Sequence, residues 1–288
     1  MATRASVGRQ SAVRVVDVEN APMVARAHVR AGGFSSRRLL DGHEGSPANF
    51  SLQLGLTPDS YLSPRHRHNF DQVRYQLEGE YDFSSDGVMK PGTVAYFPEG
   101  TYYGPQSSSV RSLTLVLQFG GASGNGYMSP EQYDRAAAEL RELGTFANGA
   151  YTVVTPDGRK SNKDAYEAVW ERVNGRPLVY PRGRYSRPVF MQPENFDWLP
   201  IEGQPGASGK FLGEFSERHT RIAWYQIETG ASLILAGRSI YFVTSGSGHA
   251  GAQEFAQRST IYVEDDAPGG VTARETVELL QIGLPKFF

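Results

Sequence analysis

The sequence has 288 residues, no cysteine, and 29 basic against 31 acidic side chains, which gives a formal net charge of −2. At about 100–200 residues per domain, this length forms one large domain or two modest ones. The lack of cysteine excludes disulfides, iron–sulfur clusters and cysteine nucleophiles, and the lack of a basic surplus argues against a nucleic-acid partner. The 32 glycines are about 11% of the chain, above the usual ~7%, which favours a turn-rich β protein.

The first ten residues contain basic side chains but lack the apolar stretch that follows them in a secretory signal. No part of the sequence has the ~18 consecutive apolar residues that a membrane-spanning helix needs. We therefore expect a cytoplasmic protein without a membrane partner.

The first half of the chain is predicted to hold an arm followed by a barrel. Residues 1–45 are turn-rich, and we expect an N-terminal arm that packs on the rest of the protein. From 46 to 128, short apolar and aromatic runs such as 73–77 and 113–117 alternate with turns rich in Gly, Pro, Ser and Asp. This spacing is typical of a β-barrel or sandwich.

Two helices are predicted in a connecting region, 129–205. Ser129, the proline after it and Gln132 form a capping signature, and the helix they begin should end near Leu143. A second helix is predicted over 163–173 from apolar residues at helical spacing. The Pro-rich remainder is predicted to be extended.

A second strand-rich block, 206–288, repeats the texture of the first. When Gly79 is aligned with Gly246, the strand-like run 73–79 matches 240–246. The sequence therefore predicts a second barrel.

Two of the six histidines stand out by their spacing. His66 and His68 are separated by one residue, so on a strand both point to the same face, about 6–7 Å apart. Two neutral imidazoles on one face can bind the same metal ion.

The residues around this pair read PRHRHNFDQVRYQLEGE, and GTVAYFPEGTYY follows from Gly92. Both stretches resemble the two motifs of the cupin superfamily, HxH-x(3,4)-E-x(6)-G and G-x(5)-PxG-x(2)-H. The residues that agree in register are His66, His68, Gly79, Gly92, Pro98 and Gly100. The resemblance implies an all-β fold, a bicupin of two jelly-roll barrels with two short helices between them.

The same resemblance implies a metal site in the first barrel. The family uses two histidines and a carboxylate from the first motif and a histidine from the second, whereas this sequence has Gln72 in the carboxylate position and Tyr103 in the last histidine position. The implied ligands of one divalent ion are His66, His68, Gln72 and Tyr103, with Fe(II) favoured and Mn, Ni or Zn as alternatives. Because this set carries less negative charge, it should hold a metal more weakly, and a metal-free barrel stays open.

The alignment predicts that the second barrel has lost this site. It places Leu233, Leu235, Ser239 and Gly269 opposite the four ligand positions, and such residues do not bind a metal. We expect this degenerate barrel to act structurally, by covering a sheet edge or by forming the interface of a homodimer.

Inward-facing positions on the Gln72 strand continue at Arg74 and Gln76, by the period of two. A buried arginine is costly unless it meets an anion, so Arg74 is expected either to hold a substrate carboxylate, phosphate or enolate or to pair with an acidic side chain. We predict Arg74, Gln76 and Tyr96 as substrate-binding residues, and Tyr103 and Arg74 as catalytic residues.

Three functions remain open at this point. The first, which we favour, is a metal-dependent dioxygenase acting on a small cyclic or dicarbonyl compound in the first barrel, as the bicupin layout indicates. The second is a metal-dependent isomerase or lyase of a keto acid or sugar acid, which the carboxylate-poor ligand set favours. The third is a cupin that binds a small molecule without turnover.

Overall fold

The computed structural model describes residues 13–26, 33–215, 218–264 and 269–286. The chain divides into two compact units. The first is built mainly from Ala21–Pro193, and the second from residues 13–20, Glu194–Phe215 and His219–Lys286. No helix within the described ranges is long and apolar enough to cross a membrane.

Strand β1 (Val13–Asp17) comes first in the chain and pairs within the second unit. The strands of the first unit follow: β2 (Met23–Arg26), β3 (Phe34–Asp41), β4 (Phe50–Thr57), β5 (Leu62–Ser63), β6 (Asp71–Glu78), β7 (Tyr81–Asp82), β8 (Val88–Met89), β9 (Val94–Phe97), β10 (Gln106–Ser107), β11 (Ser112–Phe119), β12 (Thr145–Ala147), β13 (Ala150–Val154), β14 (Lys160–Asp164) and β15 (Val189–Met191). The strands of the second unit are β16 (Leu199–Pro200), β17 (Ala207–Phe215), β18 (Thr220–Ile227), β19 (Ser232–Leu235), β20 (Ser239–Ser245), β21 (Gly248–Ala250), β22 (Gln253–Phe255), β23 (Ser259–Val263), β24 (Gly269–Ala273) and β25 (Val277–Gly283).

The first unit is a jelly-roll barrel. Its seven-stranded sheet has the order β15-β9-β6-β11-β4-β3-β2, and its four-stranded sheet has the order β5-β10-β7-β8. Strand β6 lies between β9 and β11, and five of its eight residues are buried. Its inner face carries Gln72, Arg74 and Gln76 in place of the aliphatic residues that usually fill a barrel.

The first unit also carries two helices outside its barrel. Helix α1 (Pro130–Arg141) begins at the predicted capping box of Ser129 and Gln132, and α2 (Ala165–Asn174) begins at Asp164, whose carboxylate accepts two backbone N–H bonds. Both helices pack with the three-stranded sheet β12-β13-β14 around a buried aromatic and aliphatic cluster. The first helix ends two residues before the predicted Leu143.

The second unit repeats the architecture. A seven-stranded sheet has the order β1-β23-β20-β25-β18-β17-β16, and a four-stranded sheet has the order β19-β24-β21-β22. Its interior is filled with aliphatic and aromatic side chains, which include Leu233, Leu235, Tyr241 and Val243. The predicted fold class, all-β with two barrels and two short helices in the chain between them, is confirmed.

The stretch predicted as an N-terminal arm supplies strands instead. Strand β1 pairs with β23 at one edge of the second unit, while β2 and β3 extend the large sheet of the first. Residues 1–12 and 27–32 of that arm lie outside the described residues. The region predicted as a connection, 129–205, likewise supplies β15, which pairs with β9. Unpaired sheet edges favour such recruitment of distant strands, because each added strand satisfies a row of backbone groups.

Candidate functional site

The backbone ties the two sequence motifs together. His66 and Tyr103 exchange two backbone hydrogen bonds of 3.1 and 2.9 Å, and the Gly100 N–H donates to the His68 carbonyl at 2.8 Å. These bonds fix the loop that carries the two histidines against the loop that carries the tyrosine. The side chains of His66, His68 and Tyr103 are therefore brought to one place, as the motif spacing predicts.

The Tyr103 hydroxyl lies at the centre of the polar side chains in the first barrel. His66 Nε2 lies 3.0 Å and His68 Nε2 lies 2.9 Å from its oxygen. Arg74 Nη2 donates to the same oxygen at 3.2 Å, and Gln72 Nε2 faces it at 3.4 Å. The phenol ring is 2% exposed and packs against Phe97, with 4.8 Å between ring centroids. One phenolic oxygen thus occupies the point on which four polar side chains converge.

The hydrogen bonds of this oxygen define the imidazole tautomers. His66 Nδ1 lies 2.6 Å from the Pro64 carbonyl, which can only accept, so Nδ1 carries the proton and Nε2 accepts from the Tyr103 hydroxyl. His68 then donates from Nε2 to the phenolic oxygen. With Arg74 as the second donor, the hydroxyl gives one hydrogen bond and receives two. These bonds engage both ring nitrogens of His66 and Nε2 of His68.

Arg74 is about nine-tenths buried and bonded only to neutral groups. Its Nε and Nη2 donate to Gln72 Oε1 at 3.0 and 2.8 Å, and its Nη1 donates to Gln106 Oε1 at 3.0 Å. The guanidinium also stacks over Phe97 at 4.4 Å. Within the described ranges, no carboxylate forms an ion pair with Arg74, so the predicted alternative of a neighbouring acidic partner is not observed. With the bond to Tyr103, four of its five N–H groups are used, and one remains on Nη1.

Arg74 also determines the orientation of Gln72. Because two guanidinium N–H groups donate to Gln72 Oε1, the amide turns its NH₂ group toward the Tyr103 oxygen. An amide ligates a metal through its oxygen, and that oxygen is held by Arg74.

These residues fit a divalent metal poorly. The converging donors are two imidazoles and a protonated phenol, with an amide NH₂ and a guanidinium beside them, so the set contributes no formal negative charge and one positive charge. The described residues contain no cluster of three or more His, Cys, Asp or Glu side chains suited to a metal. A divalent cation at this point would need the phenol to ionise and would lie close to the charge of Arg74. The predicted metal ligands stay a prediction.

A cavity of about 150 Å³ lies beside this cluster inside the first barrel. Its walls come from the inner faces of both sheets. The lining residues are Phe34, Gln53, Gly55, Thr57, Tyr61, Ser63, His66, His68, Gln72, Arg74, Tyr81, Gln106, Thr114, Val116 and Gln118. Amides, hydroxyls and imidazoles predominate, and Arg74 is the one Asp, Glu, Lys or Arg side chain among them.

Gln76 faces the same side of β6 but is held by its neighbours. Its Oε1 accepts from the Thr114 hydroxyl at 2.9 Å, and its Nε2 donates to the Glu78 carbonyl at 2.8 Å. The side chain is fully buried and does not line the cavity. Gln76 therefore orients the cavity residue Thr114 and does not reach a ligand itself.

Tyr96, predicted as a substrate-binding residue, lies on the opposite face of the sheet. It is paired with Val73 in the register of β6 and β9, whereas Phe97 is paired with Gln72. Directly opposite residues of an antiparallel pair share a face, so Phe97 points inward beneath Arg74 and Tyr96 points away. Tyr96 therefore does not line the cavity.

Behind the barrel, Tyr96 belongs to a buried ionic cluster that the sequence interpretation missed. Its hydroxyl donates to Asp71 at 2.8 Å, and Arg184 contacts Asp71 at 3.4 Å and Glu99 at 2.8 Å. The backbone N–H and hydroxyl of Ser123 donate to the Glu99 carboxylate. Burial raises the pKa of Asp71 to about 6, although the hydrogen bond from the Glu99 backbone N–H lowers it. The cluster fixes residues 180–185 against the second motif.

One signal for this cluster was present in the sequence. Asp71 and Glu99 flank the inward-facing motif positions and so fall on the outer face of the sheet. An acidic residue that is covered there by another segment of the chain needs a positively charged partner. Arg184 lies more than 80 residues away from either, and nothing local indicates which arginine supplies that charge.

In the second barrel the buried polar group is smaller and neutral: Gln281 Nε2 donates to the hydroxyls of Ser239 and Tyr241, both at 3.2 Å. Leu233 and Leu235 are 2% and 3% exposed within the apolar core. Gly269 is paired with Leu235, and a Cβ added to it would lie 3.1 Å from Val13 and from Val263. Three of the four positions that align with the predicted ligands are therefore packed among aliphatic side chains, and the fourth, Ser239, accepts a hydrogen bond from Gln281.

Solved structures share this architecture. A provisionally assigned dioxygenase of Nostoc punctiforme PCC 73102 is 10% identical, with a TM-score of 0.62 over 97% of this chain and 84% of that one. A provisionally assigned glyoxylate-induced protein of Pseudomonas aeruginosa is 12% identical, with a TM-score of 0.60 over 100% of this chain and 93% of that one. Bacillus subtilis oxalate decarboxylase, described for its Mn(II) centres, is 12% identical, with a TM-score of 0.51 over 95% and 78% of the two chains.

These neighbours are cupin-fold proteins, and the chain has the bicupin fold that the motifs predict. No protein-family model matches the sequence, and no curated protein matches it either. At 10–12% identity the likeness establishes the fold. Function has to be argued from the site.

Proposed function

We propose that the first barrel binds a small organic acid anion and catalyses a proton transfer on it, as an isomerase or lyase of the keto-acid type does. The observation that carries the proposal is Arg74, a guanidinium about nine-tenths buried that faces a polar cavity with neutral partners only. Burial of an uncompensated cation is costly. A carboxylate in the cavity offsets that cost and accepts the remaining N–H of Nη1.

The groups around the anion suit acid–base chemistry. The Tyr103 proton is shared with His66, and the phenolic oxygen receives hydrogen bonds from His68 and Arg74. A guanidinium next to the phenol stabilises the phenolate that forms when the proton leaves. His68, which lines the cavity, then exchanges a proton with a ligand through its other ring nitrogen, Nδ1, while Tyr103 holds both imidazole rings in place.

The neighbours are compatible with this substrate class. One acts on oxalate by its name, and another is described as glyoxylate-induced. Both names refer to small oxygen-rich acids, and the cavity volume of about 150 Å³ has room for an acid of that size.

Binding of small acids by protein dialysed against EDTA tests the first half of the proposal. Calorimetry with pyruvate, glyoxylate and oxalate should show saturable binding of at least one of them. Arg74→Gln should weaken it at least tenfold, because the charge-assisted hydrogen bond is lost. Arg67→Gln is the matched control, since Arg67 stacks on Tyr102 and Tyr180 outside the cavity. Equal weakening by both variants would show a general charge effect and overturn the proposal.

Proton transfer is tested separately, by hydrogen–deuterium exchange on a ligand. In D₂O, the protein should catalyse exchange of the methyl protons of pyruvate, followed by NMR, and Tyr103→Phe should slow this exchange. Binding without exchange would instead identify a cupin that binds a small acid without turnover.

A metal-dependent oxygenase is the second candidate, with Fe(II) favoured over Mn, Ni or Zn. The observation in its favour is the bond from His66 Nδ1 to the Pro64 carbonyl, the outer contact that metal-binding imidazoles commonly make. Anaerobic loading with Fe(II), followed by elemental analysis and oxygen consumption on catechols and β-diketones, tests it. Protein that stays metal-free after loading excludes this candidate and leaves the first.

A further inference from the structure

A second chamber lies next to the polar cavity of the first barrel. This outer chamber has a volume of about 100 Å³. It shares Phe34, Gln53, His68 and Gln118 with the polar cavity. The two compartments therefore adjoin, and His68 belongs to the wall of both.

The outer chamber differs in chemistry from the inner one. Phe70, Tyr127, Met128 and Tyr166 are buried in its wall, where the Phe70 and Tyr127 ring centroids lie 5.1 Å apart in an edge-to-face arrangement. The half-buried Tyr133 closes it from helix α1. A wall of rings and a thioether favours planar or apolar groups.

The two compartments also differ in charge. Among the residues that line the two compartments, Arg74 is the charged group of the inner one and Asp134 is the acidic group of the outer one. Asp134 is exposed, and Arg74 is buried. An acid that enters this interior is drawn head first toward Arg74, because its carboxylate is repelled by Asp134.

We propose that the ligand of the first barrel is an amphipathic organic acid. Its carboxylate head lies in the inner compartment at Arg74, and its apolar or aromatic tail lies in the outer chamber. The inference rests on the proposed anion site and adds the tail. The inner compartment, with about 150 Å³, is the larger of the two. Its polar lining suits a head group with several oxygens, which leaves the outer chamber for a ring or a branched chain.

Pyruvate and phenylpyruvate distinguish the head from the tail. Both carry the same 2-oxo acid head, and only the second carries a ring. Calorimetry on the full-length protein should give phenylpyruvate a Kd at least tenfold lower than that of pyruvate, because the ring leaves water for an apolar wall. Phenylpropionamide, which has a ring but no charge, should bind at least tenfold more weakly than phenylpropionate.

The variant Tyr133→Ala tests whether the apolar tail of the ligand lies in the outer chamber. The side chain is half-buried on α1, and its removal should weaken phenylpyruvate at least fivefold while leaving the Kd of pyruvate unchanged. Tyr102→Ala is the matched control, because Tyr102 is 47% exposed and lines neither compartment. Saturation-transfer NMR on the wild-type protein gives a readout without any variant, and the strongest transfer should reach the phenyl protons.

The outcomes separate the two proposals. If pyruvate binds through Arg74 and phenylpyruvate binds no more tightly, the tail chamber is refuted and the anion site stands. Equal weakening of both acids by Tyr133→Ala refutes the tail chamber as well. If neither acid binds, the anion site and the inference built on it both fail.

Discussion

The two barrels have the same strand order but differ in the side chains that fill their interiors. In the first large sheet β9, β6, β11, β4 and β3 are consecutive neighbours, and in the second β23, β20, β25, β18 and β17 follow one another in the same way. The four-stranded sheets, β5-β10-β7-β8 and β19-β24-β21-β22, correspond as well. Gly79 and Gly246 end the corresponding strands β6 and β20 with positive φ angles of 67° and 81°. The internal alignment made from the sequence thus has a structural basis.

The side chains that point inward from this shared frame are chemically different. Arg74 is paired with Val116 on β11, while the corresponding Tyr241 is paired with Gln281 on β25. Tyr241 is 1% exposed within the apolar core, and its hydroxyl accepts from the Ala236 backbone N–H at 2.8 Å and from Gln281 Nε2 at 3.2 Å. A barrel can therefore be filled for stability or kept polar around a cavity. A polar cavity lowers the packing density of the interior and so costs stability. We therefore connect the cavity of the first barrel with ligand binding.

The largest change in stability is expected when an arginine like Arg74 is introduced into the interior of the second barrel. Tyr241→Arg puts a guanidinium into an apolar core without an acidic partner and should lower the free energy of unfolding by about 3–5 kcal/mol or more. The reciprocal change, Arg74→Met, should alter it by no more than about 1 kcal/mol, since the freed amides of Gln72 and Gln106 can bond to water in the cavity. Urea denaturation of both variants measures the pair. A mild effect of Tyr241→Arg would show that the second interior is also hydrated.

The outer faces of β6 and β20 offer a second contrast, based on pH. Asp71 aligns with Arg238, whose Nε donates to the Pro285 carbonyl, so the buried acid exists in the first barrel only. Because burial raises the pKa of Asp71 from 3.8 to about 6, the folded state binds its proton more tightly than the unfolded state. The resulting stability is fully present below about pH 4 and is lost as the pH rises through about 6.

Asp71→Asn removes this titration and keeps the hydrogen-bonding shape. The free energy of unfolding of the wild type minus that of the variant should fall by up to about 3 kcal/mol between pH 4 and pH 7. Urea denaturation at four pH values in this range measures it, and groups that titrate equally in both proteins cancel in the difference. An increase with pH would mean that Arg184 dominates over burial and holds the pKa of Asp71 low.

The third test concerns the place of Tyr103, for which the second barrel has only Gly269. Tyr103→His supplies a third imidazole in place of the phenol, and three nitrogen donors are enough for a zinc site. We expect this variant to retain Zn²⁺ after dialysis at least tenfold better than the wild type, measured by elemental analysis. Tyr103→Phe is the control, because it removes the hydroxyl without adding a donor. Stoichiometric Zn²⁺ in the wild type would contradict the poor fit argued above.

The sequence predicted what is local and missed what is distant. The motif spacing placed His66, His68 and Tyr103 together because two short loops carry them. The period of two placed Arg74 correctly but was not carried across to Tyr96, whose face depends on the register between β6 and β9. Arg184 could not be assigned to Asp71, and the edge strand β15 could not be assigned to β9. Both contacts join segments far apart in the chain, and no local pattern records them.

The smallest effect on stability is expected where the cavity is filled. Gly55 faces Thr114 in the first barrel, whereas the corresponding position in the second barrel is Tyr225, which faces Leu279. A Cβ added to Gly55 would meet a single atom within 4 Å, the Thr114 carbonyl oxygen at 3.8 Å. The glycine therefore leaves open the space that a tyrosine side chain takes up in the second barrel.

Gly55→Leu should fill this space without strain. Its free energy of unfolding should be unchanged or higher by up to about 1 kcal/mol, because the unfolded chain loses entropy and the new side chain has room. Binding of pyruvate should nevertheless be abolished, as measured by calorimetry. Gly45→Ala would be a poor control because of its positive φ, so Val110→Ala on the exposed surface is used. Undiminished binding in Gly55→Leu would place the anion outside this cavity, and the first barrel would then be as closed to ligands as the second.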